Sequence, residues 1–434
     1  MTYPMDRDIL KDLLEWKSRP GHKPAVIRGV RQCGKTWVMR ELGKSYPDCA
    51  YFNFEIEDSL GAVFDSDLRI DRIVTMLGGL RGRPIGTDCL IILDEIQLCS
   101  RAITALKYFC EDGRYDVVCA GSLLGVKLMT TSPPVGKVED YCMYPLSFRE
   151  FLRANGQGAI VDALEEDPAG SVEVFRSRLE PLYAEYLCIG GLPEAVGEWV
   201  ANHDASAVDR ILGSLIERYI LDILRYGEGK VRENGESVWK SVPAQLARDN
   251  SKFVLGHAAK GARARDLWSS VNWLGRAELV YQVPITTGTD LPSIQSDPSS
   301  FKLYCSDTGI MRHLAGLSIP DAIGGSERFA LYRGAMAENY ALCEIVRICW
   351  GRVYCWRSGN SAEVDFLASF GSDFIPIEVK SGERVRARSL GIYLDSHPGK
   401  GAVASLNTYS QNGRVVSIPL FALWLLPKIL ARMS

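Results

Sequence analysis

The chain has 434 residues, 47% hydrophobic and 24% charged, with 50 Lys and Arg against 53 Asp and Glu for a formal net charge of -3. Those values exclude a disordered chain, a collagen-like chain and a small disulfide scaffold, and at roughly 150 residues per domain they suggest about three domains. The near-neutral balance argues against a surface that coats nucleic acid throughout, while leaving local basic patches open, because net charge averages over faces.

Residues 6–17 place Ile9, Leu10, Leu13, Leu14 and Trp16 at helical spacing, which predicts an amphipathic helix. The N-terminus has no apolar core and no cleavage signature, so it does not read as a secretory signal. Short apolar runs follow at Ala25–Ile27, Ala50–Phe54, Cys89–Leu93 and Val117–Ala120, with helix-compatible stretches between them. Strands alternating with helices predict a mostly parallel sheet covered on both faces. Pro133, Pro134 and Gly136 mark a loop. Helices are expected over Phe148–Ala154, Val161–Glu166, Val172–Leu187 and Ala207–Arg225, then several short ones over 231–285 closed by a strand at Ala277–Val283. Thr286–Ser300 reads as a loop, Arg333–Cys349 as a long helix, and Glu363–Ser369 and Phe374–Lys380 as strands. The apolar run Pro419–Leu426 is far shorter than the ~20 residues a membrane span needs. The 12 cysteines contain no C-x-x-C pair, and Cys89, Cys119 and Cys305 sit in apolar strands. Buried thiols in a reducing, cytoplasmic compartment are the expectation.

Gly29-Val30-Arg31-Gln32-Cys33-Gly34-Lys35-Thr36 fits G-x-x-x-x-G-K-[ST] between a strand and a helix. Glycines let such a loop curl and aim its N–H groups at phosphate oxygens. Lys35 would neutralise the terminal phosphates, the Thr36 hydroxyl would ligate Mg²⁺, and the helix start adds its positive dipole end. The loop residues Gly29, Arg31, Gln32, Cys33 and Gly34 are therefore expected to line ATP. The strand Cys89–Leu93 runs into Asp94 and Glu95. A carboxylate at the end of a core strand is costly unless something uses it. Asp94 is expected to hold the Mg²⁺ shell and Glu95 to orient the attacking water. Ser122, after the next strand, is a candidate γ-phosphate sensor, with helix N-capping as its bland alternative.

Together these residues resemble the AAA-type branch of P-loop ATPases. The phrases Leu93-Asp94-Glu95-Ile96-Gln97, Gly121-Ser122, Tyr144-Pro145-Leu146-Ser147-Phe148-Arg149-Glu150-Phe151, Gly190-Gly191-Leu192-Pro193-Glu194, Asp222-Ile223, Lys302-Leu303-Tyr304, Ser306-Asp307-Thr308-Gly309 and Glu363-Val364-Asp365-Phe366 carry the likeness further. They resemble a large prokaryotic family of ATP-binding proteins whose C-terminal half is a domain of unknown function with a restriction-endonuclease-like core. The resemblance implies an arginine finger, for which Arg149, Arg218 and Arg225 are candidates by type, and it implies proteins that often assemble, so a homo-oligomer is an expectation.

In the middle region, short helices closed by a strand suggest a winged-helix-like unit, and Lys252, Lys260, Arg263, Arg265 and Arg276 form a loose basic set beside its last helix. DNA contact and plain packing both remain open there. Asp365 lies in one strand; Glu378 and Lys380 lie in the next, two apart and so on one face. With Glu338 on the preceding helix, this resembles the PD-(D/E)xK nuclease arrangement, with Val364 in place of the usual proline. The resemblance implies Asp365, Glu378 and Glu338 as metal ligands and Lys380 as the catalytic base or electrostatic partner. A core that kept its fold and lost its activity is the alternative.

The expected architecture is an α/β P-loop ATPase domain over 1–150, a helical lid over 151–230, a winged-helix-like region over 231–290 and a nuclease-like α/β domain over 291–434. The expected function is ATP binding and hydrolysis coupled to action on DNA, without a membrane. A nucleotide-dependent DNA-binding regulator with an inactive core, or an ATPase that remodels a protein partner, are the competing readings.

Overall fold

The structure, a computed structural model, describes residues 5–121, 136–248, 251–259, 261–287, 296–349, 351–359, 362–371, 373–382 and 387–433. Two compact units emerge: residues 6–144 with 276–278, and residues 145–275 and 279–434 with 1–5. No helix among the described residues is long and apolar enough to cross a membrane.

The first unit begins with the expected amphipathic helix, Asp8–Ser18, which buries Ile9, Leu13 and Trp16. Five strands follow: β1 (Ala25–Arg28), β2 (Asp48–Asn53), β3 (Cys89–Asp94), β4 (Asp116–Ala120) and β5 (Glu139–Cys142). They form one sheet in the order β2-β3-β4-β1-β5, and every pairing is parallel. β3 is buried along its whole length, as a strand covered on both faces must be. One face packs Phe52, Leu93 and Val117 against Leu60, Phe64, Leu77, Leu106 and Phe109. Because β4 lies between β1 and β3, Ala120 pairs with both Ile27 and Asp94. The loop after β1 and the acids ending β3 therefore emerge at the same carboxyl edge, where open α/β sheets place their ligands.

An ion pair braces this unit near the start of β4. His22 Nε2 lies 3.0 Å from Asp116 Oδ1, and Tyr46 donates its hydroxyl to Asp116 Oδ2 at 2.7 Å. The bond to Asp116 holds the His22 imidazolium above its ordinary pKa. A group raised in the folded state stabilises fully below its unfolded pKa of about 6.5, and that contribution is lost as pH rises through the folded value. The Tm of this unit is expected to fall as pH rises above the unfolded value of about 6.5 and through the higher folded one, with His22→Gln flattening the dependence. A melting profile over about pH 6 to 9 that His22→Gln leaves unchanged would contradict this.

The second unit opens on helices Phe148–Ala154, Gly158–Glu166, Pro168–Ile189, Pro193–Asn202 and Ala205–Tyr226. The first has a full capping box, Ser147 accepting from the Glu150 N–H and Glu150 returning to the Ser147 N–H. The region expected to hold several short helices opens on one of 17 residues, Lys230–Leu246, which runs through Pro243. Burial of Val231, Val238, Trp239, Val242 and Leu246 along one face outweighs the break that the proline suggests. Helices Leu255–Ala258 and Ala264–Arg276 follow.

An eight-stranded sheet completes this unit: β6 (Val280–Thr286), β7 (Ser296–Cys305), β8 (Tyr354–Ser358), β9 (Ala362–Phe370), β10 (Asp373–Val379), β11 (Gly401–Ser405), β12 (Ser410–Asn412) and β13 (Val415–Pro419), in the order β12-β13-β11-β10-β9-β8-β6-β7. The strand that closes the middle helices thus belongs to this sheet, where β6 pairs antiparallel with β7 and parallel with β8. The expected loop over Thr286–Ser300 is already strand from Ser296, drawn in by that hairpin. The long helix runs over Glu327–Ile348.

Several phrases that carry the family resemblance meet as packing in this unit. Asp307 caps helix Thr308–Leu314 by accepting from the Ile310 N–H, and its other oxygen accepts from the Gly191 N–H at 2.6 Å. The Leu146 N–H donates to the Gly191 carbonyl at 2.6 Å, and a Cβ at Gly191 would stand 2.1 Å from the Leu146 oxygen. Glycine is required there by close backbone approach. Glu344 accepts from the Phe148 N–H, and Arg347 donates to the Pro145 carbonyl.

Candidate functional site

The loop after β1 closes into a tight cradle. Gly34 is left-handed, with φ 101, and stands immediately before helix Lys35–Gly43. Gly29 passes so close to the residue after β5 that a Cβ would lie 2.2 Å from the Met143 oxygen. Gln32 takes φ 62, a conformation that non-glycine residues seldom adopt outside functional turns. Cys33 is fully buried and packs its sulfur on the Met143 carbonyl, and burial pushes its thiol pKa up. It therefore serves the loop's shape, and its expected place in the nucleotide cradle is through backbone. Lys35 is 6% exposed and donates to the Gly29 and Val30 carbonyls at 2.8 Å each, which holds the ammonium over the loop. Arg31 is half-buried.

The Thr36 hydroxyl donates to Asp94 Oδ2 at 2.7 Å, and the Glu95 N–H donates to Asp94 Oδ1 at 3.0 Å. Asp94 is 2% exposed. A hydroxyl and a carboxylate oxygen side by side at the end of this loop are the hard oxygen donors that Mg²⁺ prefers. The residues present fit that ion. Glu95 is also left-handed, φ 53, and its carboxylate accepts from the Gln97 amide. Ser122 lies outside the described residues.

Three contributors were not singled out in the sequence. Tyr51, on β2, donates its hydroxyl to the same Asp94 Oδ2 at 2.8 Å, and the Arg40 guanidinium lies over its ring at 4.3 Å. The β2–β3 register sets Asn53 beside Asp94, so Tyr51, two residues earlier, shares its face. Arg7 is buried and ties the loop from behind, donating to the Cys33 and Tyr144 carbonyls at 2.6 Å each. The alternation Tyr51-Phe52-Asn53 was the available signal for the tyrosine; Arg7, far off in sequence, left none.

In the second unit a separate charged centre gathers Glu338, Glu363, Asp365, Glu378 and Lys380. The sequence reading named all of these but Glu363 as site residues. At its middle stands Lys302 of β7. Its side chain is 1% exposed, and Nζ lies 2.7 Å from Glu338 Oε1, 2.6 Å from Glu363 Oε1 and 3.8 Å from Asp365 Oδ1. Tyr304 donates to the same Glu338 oxygen at 2.5 Å, and Arg357 donates to Glu363 Oε2 at 2.6 Å. Asp365 Oδ2 accepts from the Val379 N–H at 2.8 Å. Glu378, 3% exposed, accepts from the Leu390 N–H at 3.1 Å and pairs with Lys380 at 2.9 Å. Burial and the neighbouring Glu338 charge push the Asp365 carboxyl up to about 7. Burial raises Glu363 too, but the Lys302 ammonium and the Arg357 guanidinium together more than offset it and leave that carboxyl below its ordinary value.

Residues 21–152 match the family described as AAA domain, residues 180–321 a domain of unknown function (DUF8612), and residues 333–421 a domain of unknown function (DUF4143). The match over residues 21–152 agrees with the phosphate-loop geometry and the all-parallel sheet of the same stretch, which is similar to an AAA-type P-loop domain. Among curated proteins, an uncharacterized protein of Haemophilus influenzae is 23% identical over 394 residues, covering 86% of this chain and 85% of its own. Among solved structures, the chain matches Aeropyrum pernix ORC1 in complex with DNA at 12% identity, over 74% of this chain and 92% of that one, TM-score 0.27. It matches a point variant of Thermotoga maritima RuvB at 15% identity, over 64% and 88%, TM-score 0.28. AMPPCP-bound DnaA from Aquifex aeolicus matches at 14%, over 62% and 86%, TM-score 0.25.

Proposed function

We propose that this protein binds and hydrolyses Mg·ATP at the loop after β1 and uses the nucleotide state to control action on DNA in the cytoplasm. The observation that carries the reading is the 2.7 Å bond between Thr36 and Asp94 directly beneath the Lys35 loop. The backbone of Gly29, Arg31, Gln32, Cys33 and Gly34 receives the phosphates, and Lys35 offsets their charge. Thr36 and Asp94 would hold Mg²⁺, which when bound neutralises charge building on the phosphate oxygens. Glu95 orients the attacking water, and Ser122 senses the terminal phosphate. Tyr51 and Gln97 position the two acids. ATP turnover that requires Mg²⁺ and disappears in Lys35→Ala is the expected result; turnover untouched by Lys35→Ala would overturn the reading.

For DNA, the support is a pair of exposed arginines, Arg263 and Arg265, at the start of helix Ala264–Arg276. If they contact phosphates, Arg263→Glu with Arg265→Glu lowers the slope of log affinity against log salt by about 2. A slope that does not change rejects this contact, and no DNA affinity even at low salt points instead to a protein partner.

A second reading concerns the nuclease-like centre. Asp365, Glu378, Glu338 and Lys380 stand near one another, yet Lys302 lies among the carboxylates. That lysine favours a DNA-binding switch whose C-terminal core does not cleave.

A further inference from the structure

We infer that Lys302 is the permanent counter-ion of the C-terminal carboxylate centre, and that no divalent metal is held there by Asp365, Glu338 and Glu378. The inference deepens the second reading above and rests on it. A hard divalent cation needs several oxygen lone pairs converging on one point at about 2.0–2.6 Å. Here every one of these acids already has at least one oxygen engaged by a protein donor. Glu338 Oε1 receives both the Lys302 ammonium and the Tyr304 hydroxyl. Glu363 is shared between Lys302 and Arg357. Asp365 Oδ2 holds the Val379 N–H, while Glu378 holds the Leu390 N–H on one oxygen and Lys380 on the other. Among the described residues, no three His, Cys, Asp or Glu side chains are grouped to hold a metal ion.

Lys302 cannot step aside cheaply. Its backbone is locked in the β6–β7 ladder opposite Val283, and its side chain is fully enclosed. An ammonium drawn away from three acids would leave buried charge unpaired. A divalent ion entering beside it would meet like charge at close range in a poorly screened interior. The lysine thus does permanently what a metal would do on demand, neutralising the acids, but it offers no coordination site to activate water. Phosphodiester hydrolysis through a metal-bound water is therefore closed to this centre, while Lys380, more than a third exposed on its side chain, stays available to a phosphate.

The test uses the full chain without nucleotide. Mn²⁺ binding is followed by electron paramagnetic resonance in wild type, Asp365→Asn and Glu378→Gln, and supercoiled plasmid is incubated with each protein and Mn²⁺. The expected result is the same number of bound Mn²⁺ ions in all three, any ion present lying elsewhere, and no nicking by wild type. One bound ion fewer in either variant, or nicking by wild type that Asp365→Asn abolishes, would overturn the inference. Glu378→Gln, read in the same Mn²⁺ and nicking assays, keeps the test decisive should Asp365→Asn fail to fold. A plasmid shift measured alongside separates the two claims: no DNA binding together with no Mn²⁺ at this centre sinks the DNA reading and leaves this one standing.

Discussion

Glu95→Gln is expected to slow ATP hydrolysis by about 100- to 10,000-fold while nucleotide affinity stays within a few-fold. The argument begins with position. Glu95 follows the last residue of a fully buried strand, and its backbone is held left-handed at φ 53. Its own N–H is tied to Asp94, and its carboxylate is engaged by Gln97, so it is aimed rather than free to wander. Gln keeps the size and the hydrogen-bonding reach but cannot take up charge from an attacking water. Phosphoryl transfer depends on positioning and electrostatics, so losing the carboxylate strikes hydrolysis and spares binding. Single-turnover hydrolysis and equilibrium binding, measured on the same preparation, separate the two. Equal losses in both would mean that Glu95 supports the loop instead of the reaction.

Lys302→Ala is expected to destabilise the second unit by about 3–5 kcal/mol, the usual cost of removing one partner from a buried charge cluster. The lysine is 1% exposed and within 2.7 Å of two carboxylates. Its loss leaves Glu338 and Glu363 facing each other, with Asp365 close by, without their shared cation. Urea unfolding followed by tryptophan fluorescence reads the change. Adding Glu338→Gln to Lys302→Ala should recover part of the loss, because one of the stranded charges is removed with its partner. A loss below about 1 kcal/mol would show the lysine to be a peripheral ion pair.

The sequence made some of this legible and hid the rest for physical reasons. The phosphate loop is local: eight consecutive residues impose the glycine geometry, the lysine and the hydroxyl, so they can be read without knowing the fold. Asp94 and Glu95 were legible because a continuous apolar strand running into two acids is itself unusual. Long helices and core strands showed through their periodicity, with ends shifted by a few residues. The helix Lys230–Leu246 was expected only as one of several short helices, and its full length depends on packing of Trp239 and its neighbours. Tyr51 and Arg7 were missed because their targets lie on other elements, reached only once strand register and chain path are set. Lys302 is the sharpest case. In a strand reading Lys-Leu-Tyr, alternation says only that Lys and Tyr share a face, and lysine on a face usually means solvent. That this face is enclosed, and lined with acids from the helix and strand that follow, is a property of the assembled sheet.

The most direct measurement is nucleotide affinity of wild type and Lys35→Ala, by titration with a fluorescent ATP analogue in the presence of Mg²⁺. If the buried Lys35 ammonium meets the phosphates as proposed, its removal weakens binding by at least about 30-fold. Matching affinities in the two proteins would contradict the claim that this loop is where the nucleotide binds.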